Sequence, residues 1–144
     1  MEQASRKGLG LCHCAAMRRA SRRISQFYDD MLAPTGLRVG QYGILVTLHE
    51  RGEVSVNELA RLMELDRTTT GKNLRPLERD GLVRVAPSAS DGRSRTIMLT
   101  AEGLAALEAA VPLWREAQSR FEAINGREAT AALRDTLAGL KVDA

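Results

Sequence analysis

The sequence predicts a mainly α protein with a small β-hairpin wing: a winged helix-turn-helix flanked by N- and C-terminal dimerisation helices. Three observations predict it. Two short helical patterns, each with its own cap, meet at Glu64-Leu65. Two β-rich runs, residues 82–86 and 95–99, follow at once and enclose a turn-rich segment from Ser88 to Ser94. Longer apolar stripes at helical spacing lie on both sides of this block.

The first stripe is Met17, Ala20, Ile24, Phe27 and Met31, with Arg18, Arg19, Arg22 and Arg23 lying off it. Ala33-Pro34-Thr35-Gly36 ends that helix. Residues 39–50 form a second, largely apolar helix closed by Arg51-Gly52. Ser55-Val56-Asn57-Glu58 reads as a capping box, with Glu58 reaching back to the start of the helix. That helix turns Val56, Leu59, Ala60 and Met63 inward. Asp66 caps the next one. Thr70, Leu74 and Leu77 make its inner stripe, while Thr68, Lys72, Arg75 and Arg79 make its outer stripe. Pro76 should bend it, and Gly81 should stop it. Thr100 caps a long helix with a stripe of Leu104, Leu107, Val111, Trp114, Gln118 and Phe121, kinked at Pro112. Asn125-Gly126 breaks the pattern, and a last helix carries Thr130, Leu133, Leu137 and Leu140.

This order divides the chain into residues 1–38, an N-terminal dimerisation segment; 39–100, a DNA-binding lobe; and 101–144, the C-terminal dimerisation helices. Neither terminal helix has a partner inside so small a chain. Their apolar stripes would leave an oversized patch on a monomer, so a two-fold homodimer is expected.

Composition narrows the function. The chain has 144 residues, 44% hydrophobic and 27% charged, with net charge +3. Between Arg67 and Arg95 there are 7 basic and 3 acidic side chains, a local positive field suited to phosphate. No apolar run approaches a membrane span, so no membrane partner is expected. The two cysteines, one residue apart, suggest no disulfide framework and fit a reducing cytoplasm. Two histidines, no glycine-rich phosphate loop and no nucleophile motif leave little for catalysis, so neither an enzyme nor a cofactor is expected. The rival class is a winged-helix module that binds a metabolite or protein and does not touch DNA.

At this point the chain resembles the MarR family of bacterial transcription regulators, from about Leu11 to Leu140. The resemblance is carried by Leu32-Ala33-Pro34-Thr35-Gly36-Leu37 with Gln41-Tyr42, by Asn57-Glu58-Leu59-Ala60, and by Asp66-Arg67-Thr68-Thr69. It continues through the run from Asn73 to Leu82 and the wing Asp91-Gly92-Arg93-Ser94-Arg95, and then Leu99-Thr100-Ala101-Glu102-Gly103. The wing followed by this Leu-Thr-x-x-Gly is the specific part. The resemblance implies a dimeric, pseudo-palindrome-binding regulator, usually a repressor. In many members an aromatic acid or phenol releases the DNA; in others an oxidant or metal does. The second wing residue, commonly Arg in the family, is Gly92 here.

A major groove admits a helix, and the N-terminal residues of that helix reach base edges first. The recognition set is therefore Asp66, Arg67, Thr68, Thr69, Thr70, Lys72, Asn73 and Arg75. The wing set is Ser90, Asp91, Arg93, Ser94 and Arg95. The resemblance implies that Asp91 and Arg95 form the base of the wing, with Arg93 nearer the tip. His49, Tyr28, Tyr42 and Trp114 read first as core or dimer contacts; for an effector pocket the candidates are Arg18 and Arg22 as anion receivers, together with Tyr28, Tyr42 and His49 from that group. Cys12-His13-Cys14 admits three readings: two small buried hydrophobes, an oxidant sensor at Cys12 and Cys14, or a soft-metal chelate. Peroxide-sensing members resemble the segment around Leu11-Cys12 but carry a Tyr where this chain has Ala16.

Overall fold

The computed structural model describes residues 8, 10–89 and 92–143. Helix α1 (His13–Leu32) stops where its sequence says it should. A 3-10 turn spans Ala33–Thr35, and Gly36 takes φ 75°, a left-handed backbone that glycine adopts without strain. Helix α2 (Val39–Arg51) then starts against the end of α1: the Asp29 carboxylate accepts the Val39 N–H at 2.8 Å. A carboxylate at a helix N-terminus satisfies an orphan donor and meets the positive end of the dipole. No local pattern announces this link, because Asp29 lies ten residues before its partner.

The central lobe follows as β1 (Val54–Ser55), α3 (Val56–Leu62), α4 (Arg67–Arg79), β2 (Val83–Pro87) and β3 (Arg95–Leu99). The sheet has the order β1-β3-β2, antiparallel throughout. Strand β1 has no counterpart in the sequence reading. It is two residues long and exists only because Val54 and Ser55 pair with Ile97 and Thr96. Strand β2 begins one residue later than predicted and extends to Pro87.

The Ser55 cap forms, its hydroxyl accepting the Glu58 N–H at 3.0 Å. The return arm of the expected box does not. The Glu58 carboxylate instead takes the Arg61 guanidinium, at 2.6 and 3.1 Å. An opposite charge three residues on outcompetes a backbone N–H; this hydrogen bond from Arg61 also holds the Glu58 carboxyl below its ordinary range.

The core collects Leu32, Ile44, Leu45, Leu48, Leu59, Leu77 and Ile97, all essentially inaccessible. Helix α5 (Ala101–Asn125) runs as one helix through Pro112, and α6 (Arg127–Ala138) follows Gly126, at φ 91°. The buried line of α5 is Gly103, Leu107, Ala110 and Ala117. Of the expected stripe only Leu107 is fully buried; Leu104, Val111, Trp114, Gln118 and Phe121 are half-buried beside it. Small residues draw the helix close to its neighbours, and the larger ones pack along the flank. Gly103 is obligatory there: a Cβ would lie 2.0 Å from the Leu82 carbonyl oxygen. On α6, Thr130 is buried, whereas Leu133 and Leu137 stay about half exposed, as does Leu140 beyond the helix end. The apolar faces of α1, α5 and α6 thus leave apolar surface uncovered on the single chain.

Candidate nucleic-acid interface

Helix α4 is built from its cap outward. The Asp66 carboxylate accepts the Thr69 N–H at 2.6 Å and the Thr69 hydroxyl at 3.0 Å. These two hydrogen bonds hold the Asp66 carboxyl below its ordinary range, the backbone bond first. Because the folded pKa is depressed, the cap contributes above the unfolded value and is lost as pH falls through the folded one. The difference in urea midpoint between the native chain and Asp66→Ala is therefore expected to be full at neutral pH. It should shrink only below the usual carboxylate range.

Behind the cap, Thr70, Leu74 and Leu77 are buried as expected, turning the opposite face outward. Thr68, Lys72, Arg75 and Arg79 line that face on the repeat, and Arg67 is exposed on the first turn beside it. Arg79 lies 3.4 Å from its neighbour Asp80. Four members of the recognition set are engaged within the protein, Asp66 as the cap itself. Thr69 spends its hydroxyl on the cap. Thr70 is fully buried, its hydroxyl donating to the Asp66 carbonyl at 2.8 Å. The Asn73 amide lies against Gly40 on α2, with its nearest atom 3.5 Å from where a Cβ would stand. Thr70 and Asn73 therefore fix the helix on the lobe, and the accessible polar face is Arg67, Thr68, Lys72 and Arg75. Position on the 3.6-residue repeat separates these groups once the core side is known.

The wing extends the β2–β3 ladder from Val83↔Leu99 to Pro87↔Arg95, and the Ser88 N–H continues it to the Ser94 carbonyl at 2.7 Å. Gly92, Arg93 and Arg95 belong to this hairpin, with Gly92 and Arg95 open to solvent. Ser90 and Asp91 lie outside the described residues, and with them the expected Asp91–Arg95 pair. The corner where α4 meets β2 is tied to α5 from two directions. Thr100 donates its N–H to the Leu82 carbonyl at 3.1 Å and its hydroxyl to the Gly81 carbonyl at 2.6 Å. The same hydroxyl caps α5 by accepting the Gly103 N–H at 3.0 Å. Recognition helix, wing and long helix are thereby held as one unit.

The residues grouped as an effector pocket do not come together. Tyr42 is in the core, stacked on Trp114 with ring centroids 6.0 Å apart. His49 is exposed on the last turn of α2, and Arg18 and Arg22 are exposed on α1. Of the five, Tyr28 lines a half-open hollow of about 240 Å³ between α1, α5 and α6. Its hydroxyl donates to Gln118, and burial pushes its phenol pKa up, with Glu122 adding to the rise. Phe121, Leu133 and Arg134 also line this hollow. In the single chain both cysteines are exposed. Cys12 is the N-cap of α1, its sulfur accepting the Ala15 N–H at 3.4 Å. Among the described residues no group of three His, Cys, Asp or Glu side chains is placed to hold a metal ion. No helix among them is long and apolar enough to cross a membrane.

Comparison with known proteins agrees with this geometry. The family model described as MarR family matches residues 35–94, which hold α2, the helix-turn-helix and the approach to the wing. The transcriptional regulator MosR of M. tuberculosis, solved in complex with DNA, is 40% identical with a TM-score of 0.73, over 90% of this chain and 99% of that one. The transcriptional repressor IacR of Pseudomonas putida is 32% identical over 94 residues, 65% of this chain but only 56% of that protein's length. The organic hydroperoxide resistance transcriptional regulator of Bacillus subtilis is 29% identical over 100 residues, 69% of this chain and 68% of that protein. With the winged lobe, the basic helix face and near full-length similarity to MosR in agreement, the chain belongs to the MarR family of DNA-binding transcriptional regulators.

Proposed function

We propose that the protein is a homodimeric repressor that acts in the cytoplasm on a pseudo-palindromic operator. One observation carries this: the outer face of α4 presents Arg67, Thr68, Lys72 and Arg75 while the wing carries Arg93 and Arg95, so one lobe offers a helix and a basic hairpin tip together. The helix suits the major groove, and the wing suits the minor groove and its phosphates. The test is fluorescence anisotropy on duplexes selected by the protein from a random library, across a salt series. Tight binding that weakens steeply with salt is expected, on an inverted repeat with half-sites about 10 bp apart, one helical turn. Absence of duplex binding at low salt would leave the rival, an interaction module that does not touch DNA.

The half-exposed Leu133, Leu137 and Leu140, together with Ile124, support the second copy as the cover for α1, α5 and α6. Light scattering at micromolar concentration is expected to give twice the 15.7 kDa chain mass. A monomer mass would contradict the dimer.

The effector is an aromatic or phenolic acid that frees the operator. The hollow beside Tyr28 supports this, with Phe121 and leucines for a ring and Arg134 for a carboxylate. Such a ligand must prefer dimers whose recognition helices are misplaced, because equal affinity for both states shifts nothing. A thermal-shift screen of aromatic carboxylates and phenols tests it.

A second reading is favoured by the exposure of both thiols and the place of Cys12 as the N-cap of α1. The Bacillus subtilis relative is named for organic hydroperoxide resistance. If oxidation is the signal, diamide or cumene hydroperoxide releases DNA from the native chain and not from Cys12→Ser. Retained binding under both oxidants would discard it.

A further inference from the structure

Helix α4 carries a glycine that the protein's own structure does not need. Gly71 stands in the second turn, with ordinary right-handed helical backbone. A Cβ built on it meets no atom within 4 Å. Gly36, Gly52 and Gly81 differ, since each takes positive φ at a turn or helix end, and Gly103 differs because a Cβ there would strike the Leu82 carbonyl. Glycine in a helix interior is disfavoured relative to alanine. Here it shares a helix of 13 residues with Pro76, which removes a backbone donor as well. The free protein would gain by alanine at this position.

Helical spacing shows where the missing side chain would point. Gly71 is four residues from both Arg67 and Arg75 and three from both Thr68 and Leu74, so it sits, partly buried, at the edge where the polar outer face meets the core side. Thr70, on the buried face, points away from it, while Leu74 borders it on the core side. The open space therefore lies at the flank of the surface that α4 would turn to a duplex. Glycine is the residue used where backbone must approach a ligand closely.

We propose that Gly71 is a specificity-determining position: its lack of a side chain lets the backbone of α4 seat against base edges in the major groove, so that Arg67, Thr68, Lys72 and Arg75 reach bases and phosphates around it. This rests on the DNA-binding reading of α4 above. A methyl group would hold the helix away from the floor of the groove, while contacts to the phosphates at the rim, made by long and flexible side chains, would adjust.

The experiment compares the native chain, Gly71→Ala and Gly71→Leu. Each is titrated against the best duplex the native chain selects from a random library and against a scrambled duplex, and each is also unfolded in urea. Gly71→Ala is expected to unfold at higher urea, yet to bind the selected duplex about tenfold or more weakly, with Gly71→Leu weaker again. Affinity for the scrambled duplex should stay the same. Gly71→Ala is also expected to select a different sequence from the library. Undiminished affinity for the selected duplex would overturn the proposal. So would an equal loss on both duplexes, or a lower urea midpoint for Gly71→Ala, which would mean that the glycine serves the fold. If the native chain binds no duplex at all, the DNA-binding reading itself fails, and this result is separate from the others.

Discussion

Replacing Gly103 with alanine is expected to cost about 3 kcal/mol of folding stability, the upper part of the range for overpacking a tight site. The added Cβ would stand 2.0 Å from the Leu82 carbonyl oxygen, 2.9 Å from the carbonyl carbon and 2.8 Å from a Leu99 methyl. Two of these are backbone atoms at the corner between α4 and β2. They cannot rotate away as a flexible side-chain end could. That corner also receives both hydrogen bonds from Thr100, so the strain would enter the link between recognition helix, wing and long helix. Urea unfolding at fixed protomer concentration measures the loss, since dimerisation would otherwise mix into the midpoint. DNA affinity should fall with it, because α4 and the wing would lose their common anchor. The same substitution at Gly71 is expected to raise the urea midpoint; both glycines are helical, but only one faces a wall. An unchanged midpoint for Gly103→Ala would mean that α5 does not dock on this corner.

On DNA, the helix and the wing are expected to fail in different ways. Lys72→Ala, which removes a cation from the outer face of α4, should cost about 1–3 kcal/mol on the selected operator and much less on scrambled duplex, if it pairs with a base edge. Arg93→Ala should weaken binding to both. It should also flatten the plot of log affinity against log salt by about 0.9 for each phosphate that its guanidinium neutralises. Anisotropy of each variant on both duplexes across a salt series reads these differences. If neither Arg93→Ala nor Arg95→Ala changes affinity or slope in a folded protein, the segment from Ser88 to Arg95 is an ordinary charged turn.

Local chemistry is readable from the sequence alone. Ser55, Asp66 and Thr100 cap the helices assigned to them, and Gly36, Gly52 and Gly81 stop the elements before them. Thr70, Leu74 and Leu77 are the buried stripe of α4. Each of these signals lies within a few residues of its effect, because caps, stops and amphipathic faces are set by backbone geometry over a single turn. The winged helix-turn-helix follows from their order, and so does the basic face of α4.

Only the tertiary structure decided the rest. Strand β1 depends on Ile97 and Thr96, far along the chain, and two residues carry no strand pattern of their own. Glu58 takes Arg61 over the backbone, a competition between two neighbours that composition does not rank. Residue type leaves Tyr42 open between the core and an effector pocket, and its place in the core, stacked on Trp114, is set by α5, 72 positions on. Thr70 and Asn73 sit on the same short helix as Lys72, but burial and the approach of Gly40 withdraw them from its accessible face. The exposure of Cys12 and Cys14 is of the same kind, since residue type says how often a cysteine is buried and not whether anything packs over this one. Burial is a property of what arrives from elsewhere in the chain, and periodicity within one element shows which face is apolar without showing what will cover it.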